Sequence, residues 1–232
     1  MKGVVLAGGF GTRLHPLTRV TNKHLLPIYD KPMIMYPIDT LKKSGISEVM
    51  IVCGREHAGS FINFLGSGKE LGIRVTYAVQ DRDNAGIADA LSYAEDFSGD
   101  GHIAIILGDN IFEDHFKDSV KTFTGGVKIF LKKIKDPHRY GVPVFDKNGK
   151  KIIHIEEKPK KPKSQYAQTG FYLMDNAVFS FIKKLKPSKR GELEMTDAAL
   201  SRSGCKSLQG DRTDSTRGNI YNSSKTDVIG GV

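Results

Sequence analysis

The chain contains no tryptophan and only two cysteines, Cys53 and Cys205. These lie far apart, and neither has a metal-ligating neighbour at useful spacing. A disulfide framework and a cysteine-based zinc site are therefore not expected. No apolar run approaches the roughly eighteen residues that a membrane span needs. The first residues, Met1 to Leu6, lead straight into a strand-like run and then glycines, without the apolar stretch and small-residue cleavage site of a secretory signal. A cytoplasmic protein with no membrane partner is expected, and the sequon Asn222-Ser223-Ser224 then carries no weight. Acidic residues are also in short supply: 26 of them against 35 Lys and Arg leave a formal charge of +9. Such an excess suits either a nucleic-acid surface or a protein whose substrates are polyanions. Lys183, Lys184 and Lys186 take the wet face of an amphipathic helix pattern, and no aromatic interleaving or nucleic-acid motif accompanies the basic runs. The polyanion reading is preferred, with no nucleic-acid partner.

What is present describes an ordinary soluble core. The 232 residues are 39% hydrophobic and 26% charged, enough for one sizeable domain and a small appendage. Strand and helix patterns alternate along the first half: strands at Val4–Ala7, Val49–Cys53, Ile73–Val79 and Ile103–Leu107, with helices at Met33–Lys43, near Gly59–Leu65 and at Ala85–Ala94. That order predicts βαβ units and an α/β fold of Rossmann-like kind, a mixed, mainly parallel sheet flanked by helices. After Phe123 strands dominate, at Val127–Lys132, Val142–Phe145, Lys151–Ile155 and Gln168–Met174, followed by a helix at Ala177–Lys184. These either extend the sheet or build a smaller subregion beside it.

Residues 201–232 differ in kind. Seven of the thirty-two are hydrophobic, and no periodicity survives. Such a segment buries too little apolar area to offset its ordering entropy. The expectation is a domain over residues 1–200 and an atypical, poorly ordered tail over 201–232. The abrupt change near Ser201 looks like a reading-frame shift or a truncation.

The most informative block is Leu6-Ala7-Gly8-Gly9-Phe10-Gly11-Thr12-Arg13-Leu14-His15-Pro16-Leu17-Thr18, with Lys23 and Pro27 downstream. A strand feeds a loop with three glycines in four positions, which exposes backbone N–H groups and lets a phosphate or base come close to the main chain. Arg13 adds a planar multi-donor cation suited to phosphate oxygens, and Lys23 a second positive charge. The P-loop is excluded because the Gly-Lys-Ser/Thr ending is missing, and the dinucleotide fingerprint because Leu14 stands where its third glycine belongs. A structural tight turn with a surface arginine remains the plainer alternative.

The blocks GGFGTRLHPLT (8–18) and NKHLLPIYDKPMIMYPI (22–38) resemble the signature of nucleotide-sugar pyrophosphorylases, specifically glucose-1-phosphate thymidylyltransferases. The resemblance runs from Lys2 to about Ala198 and implies the nucleotide-diphospho-sugar transferase fold. It implies dTTP and glucose 1-phosphate as substrates and Mg²⁺ as cofactor; UTP or another hexose phosphate is the nearest alternative, and a non-catalytic sugar-nucleotide binder another. Homo-oligomerisation is left open.

The remaining motifs carry residue roles. Asp109, in Leu107-Gly108-Asp109-Asn110, ends an apolar strand, the edge at which open α/β sheets bind ligands. It is either the N-cap of a following helix or, as the resemblance implies, the magnesium ligand. Gln80 ends another strand and offers a donor and an acceptor that suit the imide edge of thymine or uracil. Gly86-Ile87-Ala88-Asp89-Ala90 resembles the Gly-Leu-Ala-Gln-Ala form of thymidylyltransferases, with Asp89 where glutamine is usual. By the same resemblance Leu6, Gly8, Gly9, Gly11, Thr12, Gln80 and Gly86 bind the nucleotide. Gly141, Glu157, Lys158 and Thr169 bind the sugar phosphate, Glu192 and Thr196 belong to the helix opening and site wall, and Arg13, Lys23, Asp109 and Lys158 are catalytic. The family continues to a Trp-x-Asp-x-Gly-Thr segment whose aspartate is a second magnesium ligand. This chain has no tryptophan, and Asp211 and Asp214 near the expected distance lack strand or aromatic surroundings. Low or absent activity is therefore also expected.

Overall fold

The computed structural model describes residues 1–82, 85–149, 151–188, 191–197, 208–213 and 221–222. Its longer strands are β1 (Lys2–Ala7), β2 (Glu48–Gly54), β3 (Arg74–Gln80), β4 (Ile103–Leu107), β5 (Val127–Lys133), β6 (Gly141–Phe145), β7 (Ile152–Glu157), β8 (Tyr166–Met174) and β9 (Leu208–Thr213). A seven-stranded sheet runs in the order β9-β5-β8-β4-β1-β2-β3. The pairs β4–β1, β1–β2, β2–β3 and β9–β5 are parallel, and β8 runs antiparallel to both its neighbours. The expected mixed, mainly parallel α/β sheet is thus present.

The apolar runs are continuous because both faces of the sheet are covered. Val4 and Leu6 point to one core with Met50, Val52, Ile103 and Ile105, while Val5 and Ala7 point to the other with Ile51, Cys53, Ala104 and Ile106. Of the helices α1 (Met35–Lys43), α2 (Ala58–Leu65), α3 (Ile87–Ser92), α4 (Glu95–Ser98), α5 (Lys117–Lys121) and α6 (Ala177–Ile182), α1 and α2 supply Ile38, Leu41, Phe61 and Leu65 to the second core. The first is closed by Ala88 and Leu91 of α3 and by Val178, Phe179 and Ile182 of α6. Pro37 falls in the first turn of α1, where its missing N–H costs nothing, and Gly45 beyond the end adopts φ +87°, the left-handed stop expected there.

Two departures matter for function. The strands after Phe123 divide: β5 and β8 join the main sheet, whereas β6 and β7 form a separate antiparallel pair. Within the tail, Leu208–Thr213 is not structureless but adds a parallel strand to β5, with Gly210 beside Ile129 and Asp211 beside Phe130. Backbone pairing along a sheet edge needs no apolar side chains, which is why the sequence pattern does not announce it. Tyr221–Asn222 pairs with Asn110–Ile111. The rest of the tail, Asp214 included, lies outside the described residues.

Candidate active site

The C-terminal ends of β1, β3 and β4 meet at one edge of the sheet, where the strand order reverses about β1 and ligands of open α/β sheets bind. Gly8 and Gly9 follow β1, Gln80 closes β3 and Asp109 follows β4. Together with Leu6, Lys23 and Gly86 they wall a cavity of about 230 Å³. Gly8 is a close-approach glycine: a Cβ there would stand 3.0 Å from Gln80 Oε1.

Asp109 is the electrostatic centre of this cavity. Its Oδ2 accepts a hydrogen bond from Lys23 Nζ at 2.7 Å, and its Oδ1 accepts one from Asn110 Nδ2 at 2.9 Å. Burial raises the carboxyl's pKa, but the charges of Lys23 and His24 and the two hydrogen bonds outweigh it and hold the group at about 2. Asp109 caps no helix. It is followed by the two-residue bridge Asn110–Ile111, and its side chain lines the cavity. His24 is fully buried beside it; desolvation, then the charge of Lys23, push its pKa down to about 3 despite the attraction of Asp109. The neutral ring donates from Nδ1 to Asn22 Oδ1 at 2.6 Å, since an amide oxygen can only accept.

A second cavity, of about 430 Å³, opens beside the first and shares Ile87, Leu107 and Glu192 with it. Glu157, at the end of β7, accepts from Thr196 Oγ1 at 2.8 Å and stands 3.6 Å from Lys158 Nζ. Lys158 has φ +45°, a left-handed conformation that costs a non-glycine residue on the order of 1 kcal/mol. Its N–H is held by the carbonyl of Tyr140 at 3.0 Å, next to Gly141, whose missing side chain leaves room for Gln168. The pairing of β8 with β5 breaks register between Gln168 and Tyr172. This bulge takes Thr169 and Gly170 out of the ladder at the cavity wall. Thr169 Oγ1 and Gln168 Oε1 are buried there with no hydrogen-bond partner among the described residues. Buried polar atoms without partners are rare in folded proteins, and a hydroxyl-bearing ligand would satisfy these two.

The wall between the cavities is stitched by backbone. Leu193 N–H donates to Ala85 O at 2.8 Å, and Ala88 N–H donates to Leu193 O at 3.1 Å. Gly86, at φ +98°, lies under this crossing, where a Cβ would approach Leu193 O to 2.5 Å. The strand and turn glycines thus bring Leu6, Gly8, Gly9, Lys23, Gln80, Gly86 and Asp109 to one cavity, and Gly141, Glu157, Lys158, Thr169, Glu192 and Thr196 to the other. Gly11, Thr12 and Arg13 line neither. Gly11 starts the turn Thr12–Leu14, where its carbonyl accepts from Thr18 Oγ1 at 2.9 Å, and Arg13 is exposed on that turn. Sequence reasoning passed over Asn110, which was quoted with Asp109 but given no role, and over His24 and Asn22, whose places inside the NKHLLP block were the available signal.

The profile of the family described as nucleotidyl transferase matches residues 2–211. The chain belongs to the nucleotidyl transferase family. Its relatives include a glucose-1-phosphate thymidylyltransferase of Neisseria gonorrhoeae, 47% identical over 201 residues covering 85% of this chain and 69% of that protein. Another, of Xanthomonas campestris, is 44% identical over 200 residues, covering 84% of this chain and 67% of that one. Among solved structures, a Bacillus anthracis protein assigned as a glucose-1-phosphate thymidylyltransferase, in complex with a sucrose, superposes with a TM-score of 0.89 at 47% identity over 97% of this chain and 91% of that one. A UDP-glucose pyrophosphorylase bound to UDP-glucose has a TM-score of 0.82 at 23% identity over 98% and 94%, and shows the shared fold alone. Among the described residues of this nucleotidyl transferase, no helix is long and apolar enough to cross a membrane. Nor does any group of three or more His, Cys, Asp or Glu side chains among them form a metal cage.

Proposed function

We propose that the chain transfers a thymidylyl group from dTTP to glucose 1-phosphate, forming dTDP-glucose and pyrophosphate. The observation that carries this reading is the pair of adjoining cavities with Asp109 opening on one and Asn110 on the other. A phosphate linkage between a nucleotide and a sugar belongs at that junction. The names of the relatives supply the substrates.

The reaction asks little covalent work of the protein. A phosphate oxygen of glucose 1-phosphate forms a bond to the α-phosphorus of dTTP, and the bond from that phosphorus to the bridging oxygen breaks. Pyrophosphate leaves with the electron pair. No general base is needed, because the sugar phosphate is already ionised at neutral pH. Positioning and charge neutralisation remain. Gln80 faces the base over Gly8, and Lys23 with the loop amides faces the triphosphate. Lys158, fixed by its unusual backbone, holds the sugar phosphate. Glu157, Thr169 and Gln168 meet the hydroxyls, while Arg13 stands on the exposed turn outside both cavities.

Magnesium fits as a companion of the substrate rather than a resident ion. Asp109 is a single carboxylate, low enough in pKa to stay ionised, and Mg²⁺ commonly takes one or two carboxylates plus phosphate oxygens and water. Bound there it would neutralise charge on the α-phosphate, with Lys23 ceding part of its hold on Asp109. The test is pyrophosphate release with dTTP, glucose 1-phosphate and Mg²⁺, with UTP as competitor. Nucleotide binding without turnover would replace this reading by a sugar-nucleotide-binding role.

A further inference from the structure

Asp89, on α3, lies one layer behind the nucleotide cavity and lines neither pocket, yet its side chain is wholly buried. Its Oδ2 accepts a hydrogen bond from Gln80 Nε2 at 2.7 Å, and its Oδ1 is ion-paired with the Arg82 guanidinium, which reaches it from the surface. Gln80 itself is buried, with Oε1 turned over Gly8 into the cavity.

A glutamine amide has two nearly equivalent orientations that exchange a donor for an acceptor. An ionised carboxylate can only accept. With Asp89 behind it, Gln80 must turn NH₂ toward Asp89, because the opposite orientation would set Oε1 against Oδ2 and leave a buried carboxylate oxygen without its donor. Arg82 occupies the other carboxylate oxygen, so Asp89 meets both its partners as an acceptor. We infer that Asp89 is a positioning residue that locks the Gln80 amide and thereby selects the class of base: those that offer an N–H at the ring position facing Oε1.

Thymine and uracil offer an imide N–H there. Cytosine offers a bare ring nitrogen, which would face a carbonyl oxygen, and would need the amide turned over. A glutamine or asparagine at position 89 could give or accept and would permit both orientations. The carboxylate removes that freedom.

This inference rests on the thymidylyl-transfer reading, and the experiment separates the two. The ratio of kcat/KM for dTTP over dCTP is measured for wild type, Asp89→Asn and Asp89→Glu, with Mg²⁺ and glucose 1-phosphate. The binding ratio of dTMP to dCMP is measured by calorimetry alongside. The Asn variant, isosteric but able to donate, is expected to lower both ratios at least tenfold, and the Glu variant, acceptor-only, to restore most of the discrimination. A merely structural role would reduce turnover with both nucleotides alike, and unchanged ratios in the Asn variant with an active wild type overturn the lock alone. A wild type that binds neither thymidine nucleotide overturns the functional reading and the lock with it. A readout that needs no variant comes from nitrogen-15 spectra of wild type. One Gln80 side-chain N–H is expected to be protected from exchange in the free protein, and solvent-rate exchange of both overturns the proposal even if Asp89→Asn fails to fold.

Discussion

Asn110 ties two strands of opposite direction together: its Oδ1 accepts the N–H of Gly170 at 3.1 Å while its Nδ2 donates to Asp109 at 2.9 Å. One buried amide therefore satisfies the backbone group released by the β8 bulge and aims the carboxylate of the nucleotide cavity. Asn110→Ala strands the Gly170 N–H, a loss of roughly 1–3 kcal/mol, and frees Asp109 to rotate. Urea unfolding should show that destabilisation, and pyrophosphate release should fall at least tenfold. Unchanged turnover in a folded variant would show that Asp109 needs no such orientation.

Chelation should divide stability from activity. The described residues offer no cluster of three or more metal-ligating side chains, and Asp109 is already paired with Lys23. EDTA should abolish pyrophosphate release and leave the thermal unfolding midpoint of the nucleotide-free protein where it was. A midpoint that drops on chelation would mean a structural ion. Asp109→Asn should lower turnover by a hundredfold or more without loss of cooperative unfolding.

Gly86→Ala combines two penalties. Its φ of +98° disfavours any L side chain, and the new Cβ would meet Leu193 O at 2.5 Å. Because the 191–197 segment walls both cavities, its displacement should raise KM for nucleotide and for sugar phosphate together. An effect confined to one substrate would argue that the two lobes do not share this wall.

Acid should expose the cost of keeping His24 neutral. Its native pKa of about 3 lies below the ordinary 6.5, so the unfolded chain takes up a proton that the folded chain refuses. Stability is therefore lost as pH falls from 6.5, by about 1.4 kcal/mol per pH unit, or roughly 2 kcal/mol by pH 5. Asp109, held at about 2 against an ordinary 3.8, adds its own loss only below about pH 4. Urea titrations at pH 7 and pH 5 should show the drop in wild type and a flatter dependence in His24→Gln. Equal slopes would place the acid sensitivity elsewhere.

Much of this was legible in the sequence, for a physical reason. Val4–Ala7, Val49–Cys53 and Ile103–Leu107 are apolar on both sides because both faces are buried, so the central strands announce themselves locally. Gly8 and Asp109 lie just beyond such strands and Gln80 closes a third, and parallel pairing carries those ends to one edge. What stayed hidden depends on partners distant in sequence. Asn110 acts through Gly170, sixty positions away. His24 reads as an ordinary titrating histidine until Asp109, Lys23 and Asn22 enclose it. Asp89 looked like a mild departure from a familiar motif, and only its contact with Gln80 gives the substitution a consequence. The end of α3 was overestimated because Tyr93 and Ala94 are good enough helix residues to hide the break before α4.

The strand at Leu208–Thr213 also governs how the molecule behaves in company. β5 carries Val127, Ile129, Phe130 and Leu131 in one short run, buried and rich in β-forming residues. Without β9 beside it, that run would present a bare row of N–H and C=O groups, an invitation to cross-chain pairing. Six residues with little apolar content take over as the edge of the sheet and leave that apolar run paired on both sides.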